Sequence, residues 1–115
     1  MNRWMCAFAL TALSSLATAA DAPTLARGKE VFDHWCAPCH GEGDQYPGTV
    51  ALGVKYEGKL PGALEARQDL APEVVKAFVR TGITVMPFFR KTEIDDTELE
   101  AIAAYLTRNN PRRDR

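Results

Sequence analysis

Apolar residues recur with the period of an α-helix in three stretches of this chain. The stretches are residues 24–35, 72–81 and 95–108. In the last stretch the apolar positions follow the i, i+3, i+4, i+7 spacing that lines one face of a helix. Those positions are Leu99, Ile102, Ala103 and Leu106. We therefore predict short helices that each bury one apolar face.

The ends of these stretches carry residues that start or stop helices. Thr24 is a predicted N-cap for the first helix. Pro72 suits the first turn of the second helix, and Gly82 is placed to end it. Asp95 and Glu98 form the capping-box pattern at the start of the third helix.

Residues 41–70 separate the first two predicted helices and are rich in glycine and proline. Their strand signals, T-V-A-L and G-V-K-Y, are short and weak. We predict a long loop here. A loop of this length inside a compact domain is uncommon unless it carries function or wraps a ligand.

The first 19 residues have the order of regions found in an export signal. Arg3 supplies a positive charge, an apolar stretch follows, and residues 17–19 (A-T-A) fit the cleavage pattern. No window reaches the length of a membrane span. We therefore predict an exported, periplasmic protein without a membrane anchor.

Removal of the signal peptide, residues 1–19, would leave one domain over residues 20–110 and a basic C-terminal tail, 111–115. The whole chain carries 14 basic and 15 acidic side chains. Because this balance supplies no strongly basic face, nucleic acid is not a predicted partner.

The motif C-A-P-C-H, residues 36–40, carries the chemistry of this chain. On a helical turn Cys36 and Cys39 share one face, where each sulfur can bond one vinyl group of a porphyrin. His40 follows on the same face, where its ring can reach the iron. The motif therefore predicts one covalently bound haem c, with Cys36 and Cys39 as thioethers and His40 as an axial ligand.

Two other sites use similar residues. A thioredoxin-like dithiol needs the motif after a strand in a βαβ unit, and no such alternation is visible. A structural zinc site needs four ligands. Cys36, Cys39, His40 and His34 are four possible ligands, but they are crowded into residues 34–40. We predict that His34 is solvated and points away from the face of His40.

Met86 is the only methionine after residue 19. It lies between the second and third predicted helices, before Pro87 and two phenylalanines. A methionine in a core is the simpler interpretation of one residue alone. Downstream of a haem-attachment motif, however, a single methionine before proline favours the second axial ligand, which raises the reduction potential.

From Leu25 to Leu106 the chain resembles the class I cytochromes c. The residues that carry the resemblance are Gly28, Phe32, the C-A-P-C-H motif, Met86-Pro87, Ile102, Tyr105 and Leu106. It implies an all-α fold, the small class I cytochrome c fold, with three or more short helices wrapped round one haem. It further implies that the first and last helices cross at a glycine.

The same resemblance implies a proline whose carbonyl accepts the Nδ1–H of the haem histidine. Pro47 is the candidate, although Y-P-G-T-V-A-L departs from the usual Gly-Pro-x-Leu pattern. Arg67 could pair with a haem propionate or be solvated, and the sequence leaves both open.

A narrower resemblance is to the cytochrome subunits of flavocytochromes that oxidise 4-alkylphenols. It lies in Y-P-G-T-V-A-L, L-P-G-A-L-E-A-R and V-M-P-F-F-R-K-T-E. It implies a one-electron carrier, not an enzyme itself, that accepts electrons from a flavoprotein dehydrogenase and passes them to a downstream acceptor. Residues 86–91 are the predicted docking surface. The alternatives are a free shuttle to a terminal oxidase and a haem sensor or peroxidase-like enzyme.

Overall fold

A computed structural model describes residues 20–113 of the chain, and the predicted export signal lies outside them. The helices are α1 Ala22–Val31, α2 Ala37–His40, α3 Pro47–Lys55, α4 Pro72–Thr81 and α5 Asp96–Thr107. A π-helical turn, Phe32–Cys36, joins α1 to α2, and Leu64–Ala66 form a 3₁₀ turn. Within residues 20–113 the pairing of Ile83 with Met86 is the one strand-like bridge. The all-α prediction is confirmed.

Helix α1 begins earlier than predicted. The Thr24 backbone N–H donates to the Asp21 side chain at 3.0 Å, so Asp21 and not Thr24 is the N-cap. Pro23 fits the first turn because its missing N–H would have no partner there. The prediction of Thr24 as the cap was therefore wrong, and D-A-P is the start signal.

The core lies where α1 crosses α5. Phe32 and Ile102 are completely buried, and the ring centroids of Phe32 and Tyr105 lie 6.1 Å apart. A Cβ atom added to Gly28 would lie only 2.6 Å from Cβ of Tyr105. Only glycine permits this approach of the two helices, as the resemblance implied.

Helices α4 and α5 agree with the sequence. Helix α4 has the predicted bounds, and Gly82 follows it with a φ of 65°. Both halves of the capping box between Asp95 and Glu98 are present at the start of α5. The predicted apolar face of α5 is buried throughout.

Helix α3 occupies part of the segment that we predicted to be a loop with weak strand signals, and there the prediction was wrong. The Thr49 hydroxyl donates to the Gly41 carbonyl at 2.6 Å, which ties α3 to the end of the attachment motif. Gly62 packs closely on the Thr49 backbone. These tertiary contacts override the poor helix propensity of a segment with two glycines and several β-branched residues.

The end of the described chain folds back on the domain. The Asn110 side chain is buried and donates to the Leu70 carbonyl at 2.8 Å. Residues 111–113 form a turn, since the Arg112 N–H donates to the Asn110 side chain at 2.8 Å. None of the helices in residues 20–113 has the length and apolarity needed to cross a membrane.

Candidate functional site

The attachment motif begins inside the π-helical turn. The Ala37 N–H bonds to the Phe32 carbonyl, and Cys36 is the last residue of that turn. Turns of this kind occur frequently at functional sites. Both cysteines are free, but Cys36 is only 9% exposed whereas Cys39 lies on the surface. The motif thus presents one buried and one accessible sulfur.

The environment of Cys36 does not suit a redox dithiol. Burial, with a smaller contribution from Cys39, raises the pKa of the Cys36 thiol to about 12. Reactive cysteines of disulfide oxidoreductases have lowered pKa values instead. Residues 20–113 also contain no strand that would form a βαβ unit. The dithiol interpretation therefore has no structural support.

Zinc is not supported either. No group of three or more histidine, cysteine or carboxylate side chains that could hold a metal ion occurs within residues 20–113. His34 is exposed, as predicted, and its ring meets Trp35 edge-on with centroids 4.7 Å apart. It does not join His40 at a common site.

His40 ends α2 and is half-buried. Burial lowers the pKa of its imidazole, which favours the neutral form that binds metals. Its Nδ1 atom is buried and has no hydrogen-bond partner. Leaving such an atom unpaired costs about 1–3 kcal/mol, so the ring is not placed there for the stability of the chain alone.

The first turn of α3 packs directly on the His40 ring. A Cβ atom added to Gly48 would lie 2.7 Å from Cε1 and 2.8 Å from Nδ1 of His40. Gly48 therefore holds space for the ring, a role that sequence reasoning missed because P-G was interpreted as part of a loop. Pro47 is the first residue of α3, and the expected bond from Nδ1 to its carbonyl is not formed in this structure.

Met86 lies in a tight turn after α4. The Met86 N–H donates to the Ile83 carbonyl at 2.9 Å, and the Ile83 N–H donates to the Met86 carbonyl at 3.1 Å. Between them Thr84 has a φ of 51°, which is unusual for a β-branched residue. Unusual backbone angles of this kind cluster at ligand-binding positions.

An aromatic contact joins the two halves of the site. The rings of Trp35, next to Cys36, and Phe89, shortly after Met86, meet edge-on with centroids 5.7 Å apart. The Phe89 side chain is packed on the core, whereas that of Phe88 is 61% exposed. The two phenylalanines of the predicted docking surface thus have different roles.

Arg67 is buried, with 4% of its side chain exposed. Its Nε and Nη2 donate to the two Asp69 carboxylate oxygens at 2.6 Å, and the guanidinium lies 4.7 Å from the Tyr56 ring centroid. The alternative of a solvated Arg67 was therefore wrong. Its Nε and Nη2 donors are both bound to a carboxylate of the chain itself.

The donors in these segments fit a covalently attached haem. They are a buried thiol, an exposed thiol, a neutral imidazole with an unpaired nitrogen, and a thioether. Thiols can add to the porphyrin vinyl groups, and imidazole with thioether is a known axial pair for haem iron.

Comparison with known proteins finds cytochromes, as the resemblance of the sequence implied. A family model described as cytochrome c oxidase, cbb3-type, subunit III matches residues 23–106. Cytochrome c6 from Thermosynechococcus vestitus is 34% identical over 102 residues, which are 89% of this chain and 85% of that protein.

Two other relatives are subunits of larger assemblies. The cbb3-type cytochrome c oxidase subunit CcoP from Azospirillum sp. is 35% identical over 98 residues, 82% of this chain and 31% of that protein. The 4-cresol dehydrogenase [hydroxylating] cytochrome c subunit from Pseudomonas putida is 32% identical over 81 residues, 70% of this chain and 58% of that subunit. The chain thus covers less than two thirds of both subunits, but most of cytochrome c6.

Proposed function

This chain belongs to the cytochrome c family, and on that premise we propose that Cys36 and Cys39 hold a covalent haem c whose iron is ligated by His40 and Met86. Members of this family are electron carriers with covalently attached haem c. The haem supplies the redox chemistry, since its iron gains and loses a single electron between the Fe(II) and Fe(III) states.

The unpaired Nδ1 of His40 is the observation that carries the ligand assignment. Iron on Nε2 leaves Nδ1 protonated, and an acceptor for that proton orients the ring and strengthens it as a donor. The Pro47 carbonyl is the proposed acceptor. It lies at the start of α3 beside Gly48, and a carbonyl has two lone pairs, so its role in the helix does not exclude the bond.

Replacement of the methionine tests the ligand pair. We expect Met86→Ala to lower the reduction potential, because methionine ligation raises it, and to let carbon monoxide bind the reduced protein. The wild type should keep its reduced spectrum under carbon monoxide. Val85→Ala is the matched control, since Val85 adjoins Met86 and is 97% exposed. An unchanged reduction potential in Met86→Ala would show that Met86 is not an axial ligand.

For the electron donor, we propose a flavoprotein dehydrogenase acting on alkylphenols. The similarity to the 4-cresol dehydrogenase cytochrome subunit supports this proposal. An exposed apolar surface around Met86 supports docking of a redox partner. It consists of Ile83, Val85 and Phe88, which are 43%, 97% and 61% exposed. Arg90 and Lys91, both exposed, follow it in the sequence and pair with Glu93 at 3.1 Å and with Asp96 at 2.7 Å.

The second candidate function is a free periplasmic shuttle to a terminal oxidase. The match to cytochrome c6 favours it, since this chain covers 85% of that protein but only 58% of the 4-cresol dehydrogenase subunit. The periplasmic location in both candidates rests on the export pattern of residues 1–19.

One purification separates the two candidates. The protein is isolated from its native periplasm at low salt, and its visible spectrum is recorded before and after addition of 4-cresol. A co-eluting flavin that bleaches as the haem becomes reduced supports the dehydrogenase partner. Haem bands without flavin, together with rapid oxidation of the reduced protein by oxidase-containing membranes, support the shuttle.

The docking surface is tested by the rate of electron transfer with the identified partner. We expect Phe88→Ser to slow the reaction, because it removes the largest exposed apolar side chain beside Met86. Val54→Ser is the matched control, since Val54 is 75% exposed on α3. Equal effects of both substitutions would contradict docking at this surface.

A further inference from the structure

The segment that carries Met86 is closed at its base. We call residues 82–88 the ligand loop; it leaves α4 after Thr81 and ends before Phe89. The Phe89 N–H donates to the Val79 carbonyl at 2.8 Å, so the residue after the loop is tied back to the last turn of α4. The conformation of the loop therefore depends on what holds Phe89 against α4.

The Arg80 side chain also holds Phe89 against α4, by binding its carbonyl group. Its Nη1 donates to the Phe89 carbonyl at 3.1 Å and to the Ile94 carbonyl at 2.9 Å. Its Nη2 donates to the Asp96 carboxylate at 3.0 Å. One guanidinium thus joins α4, the residue that follows the ligand loop and the start of α5.

These bonds lie where they are stronger than ordinary surface contacts. The Arg80 side chain is 24% exposed, and Ile94, whose carbonyl it binds, is completely buried. Hydrogen bonds from a charged donor are stronger than neutral ones, and a buried carbonyl that loses its donor is costly. The pair with Asp96 matters less, because Asp96 is 65% exposed and also accepts from Lys91 at 2.7 Å.

We propose that Arg80 is a positioning residue that latches the ligand loop and thereby keeps Met86 on the iron. This inference rests on the proposed role of Met86 as an axial ligand. Loss of the Arg80 bonds leaves Phe89 held only by the Val79 carbonyl and by its ring contacts, which loosens the loop before it and lets the thioether leave more often. A competing small ligand binds only to this open form, and its apparent affinity reports the open fraction.

The test is a titration of the ferric, haem-loaded protein with imidazole. Arg80→Gln keeps a polar side chain but loses the charge and the several N–H donors of the guanidinium. The carbonyls of Phe89 and Ile94 are then left with a weaker, uncharged donor. We expect the apparent dissociation constant for imidazole to fall about tenfold, as the open fraction rises in proportion. The charge-transfer band of methionine sulfur on ferric iron should weaken in parallel.

Lys76→Gln is the matched control. Lys76 also lies on α4 and pairs with a carboxylate of α5, Glu100, at 2.6 Å, but this pair does not involve Phe89 or Ile94. Its imidazole affinity should stay within about twofold of the wild type. An Arg80 that merely stabilised the fold would lower the free energy of unfolding in guanidinium chloride without changing imidazole affinity, and that result would overturn the inference.

A second variant covers the case in which Arg80→Gln does not fold. Arg80→Lys keeps the charge and the pair with Asp96, but a single ammonium cannot reproduce the fork. We expect an intermediate rise in imidazole affinity, and an affinity equal to that of the wild type would overturn the latch.

Met86→Ala separates the two proposals. If it raises imidazole affinity while the Arg80 variants do not, the latch is wrong and the ligand assignment stands. If it changes neither the affinity nor the charge-transfer band, Met86 is not the ligand and both proposals fail.

Discussion

Replacing Gly28 by alanine would place a methyl group in the closest contact between α1 and α5. The new Cβ would lie 2.6 Å from Cβ of Tyr105 and 2.8 Å from the carbonyl carbon of Ala101. Both atoms are fixed by the backbone of α5, so no side-chain rotation relieves the overlap. The two helices must move apart, in an interior that is packed as densely as a crystal.

Two opposing effects determine the size of the change. Overpacking of a core costs about 1–3 kcal/mol. Alanine is better than glycine inside a helix by about 1 kcal/mol. Because the overlap is with backbone, the upper part of the first range applies, and the free energy of unfolding should fall by about 1–2 kcal/mol.

The assay is guanidinium unfolding of the haem-loaded protein, with Gly53→Ala as the matched control. Gly53 also lies in a helix, α3, and its added Cβ would meet no atom within 4 Å. That variant should gain about 0.4–1 kcal/mol. Glycine-to-alanine substitution should therefore lower the free energy of unfolding at position 28 and raise it at position 53. A Gly28→Ala protein as stable as the wild type would refute the close crossing.

Two further predictions concern acidic residues. The hydrogen bond from Arg67, with its charge, holds the pKa of the Asp69 carboxyl below its usual value. The resulting stability is present at neutral pH and is lost as pH falls through the lowered pKa, so Asp69→Asn should flatten the loss of stability below about pH 4 in acid unfolding curves. Asp95→Ala removes the acceptor of the Glu98 N–H at 2.8 Å and should cost about 1 kcal/mol in urea unfolding, whereas no change would contradict the capping role.

Helices α4 and α5 could be predicted from the sequence because their signals are local. Pro72 at the start of α4, Gly82 after it and the capping box of α5 act within a few residues of the backbone groups they serve. The attachment motif could be recognised for the same reason, since its spacing follows from one turn of helix.

Helix α3 could not be predicted because what fixes it is distant in sequence or hidden by composition. The bond from Thr49 to the Gly41 carbonyl, and the fit of Gly48 to the His40 ring, exist only in the folded chain. Pro47 was a start signal, but the glycines beside it favoured a loop.

The role of Arg80 was hidden in the same way. A basic residue in the last turn of a helix is explained locally by the helix dipole. Its carbonyl partners, Phe89 and Ile94, lie beyond the ligand loop and cannot be recognised from the sequence around Arg80.

The asymmetry between the two cysteines follows from the π-helical turn. Gly28, Phe32 and Cys36 are spaced four apart, and all three are buried. In a regular α-helix, four residues exceed one turn of 3.6, so the face drifts. The wider i→i+5 bonding over Phe32–Cys36 reduces this drift and keeps Cys36 on the buried side, in the same core cluster as Phe32. Cys39 then lies outside that face and is exposed. Because one continuous buried face links Gly28 to Cys36, moving α1 away from α5 should displace Cys36 as well as the core residues.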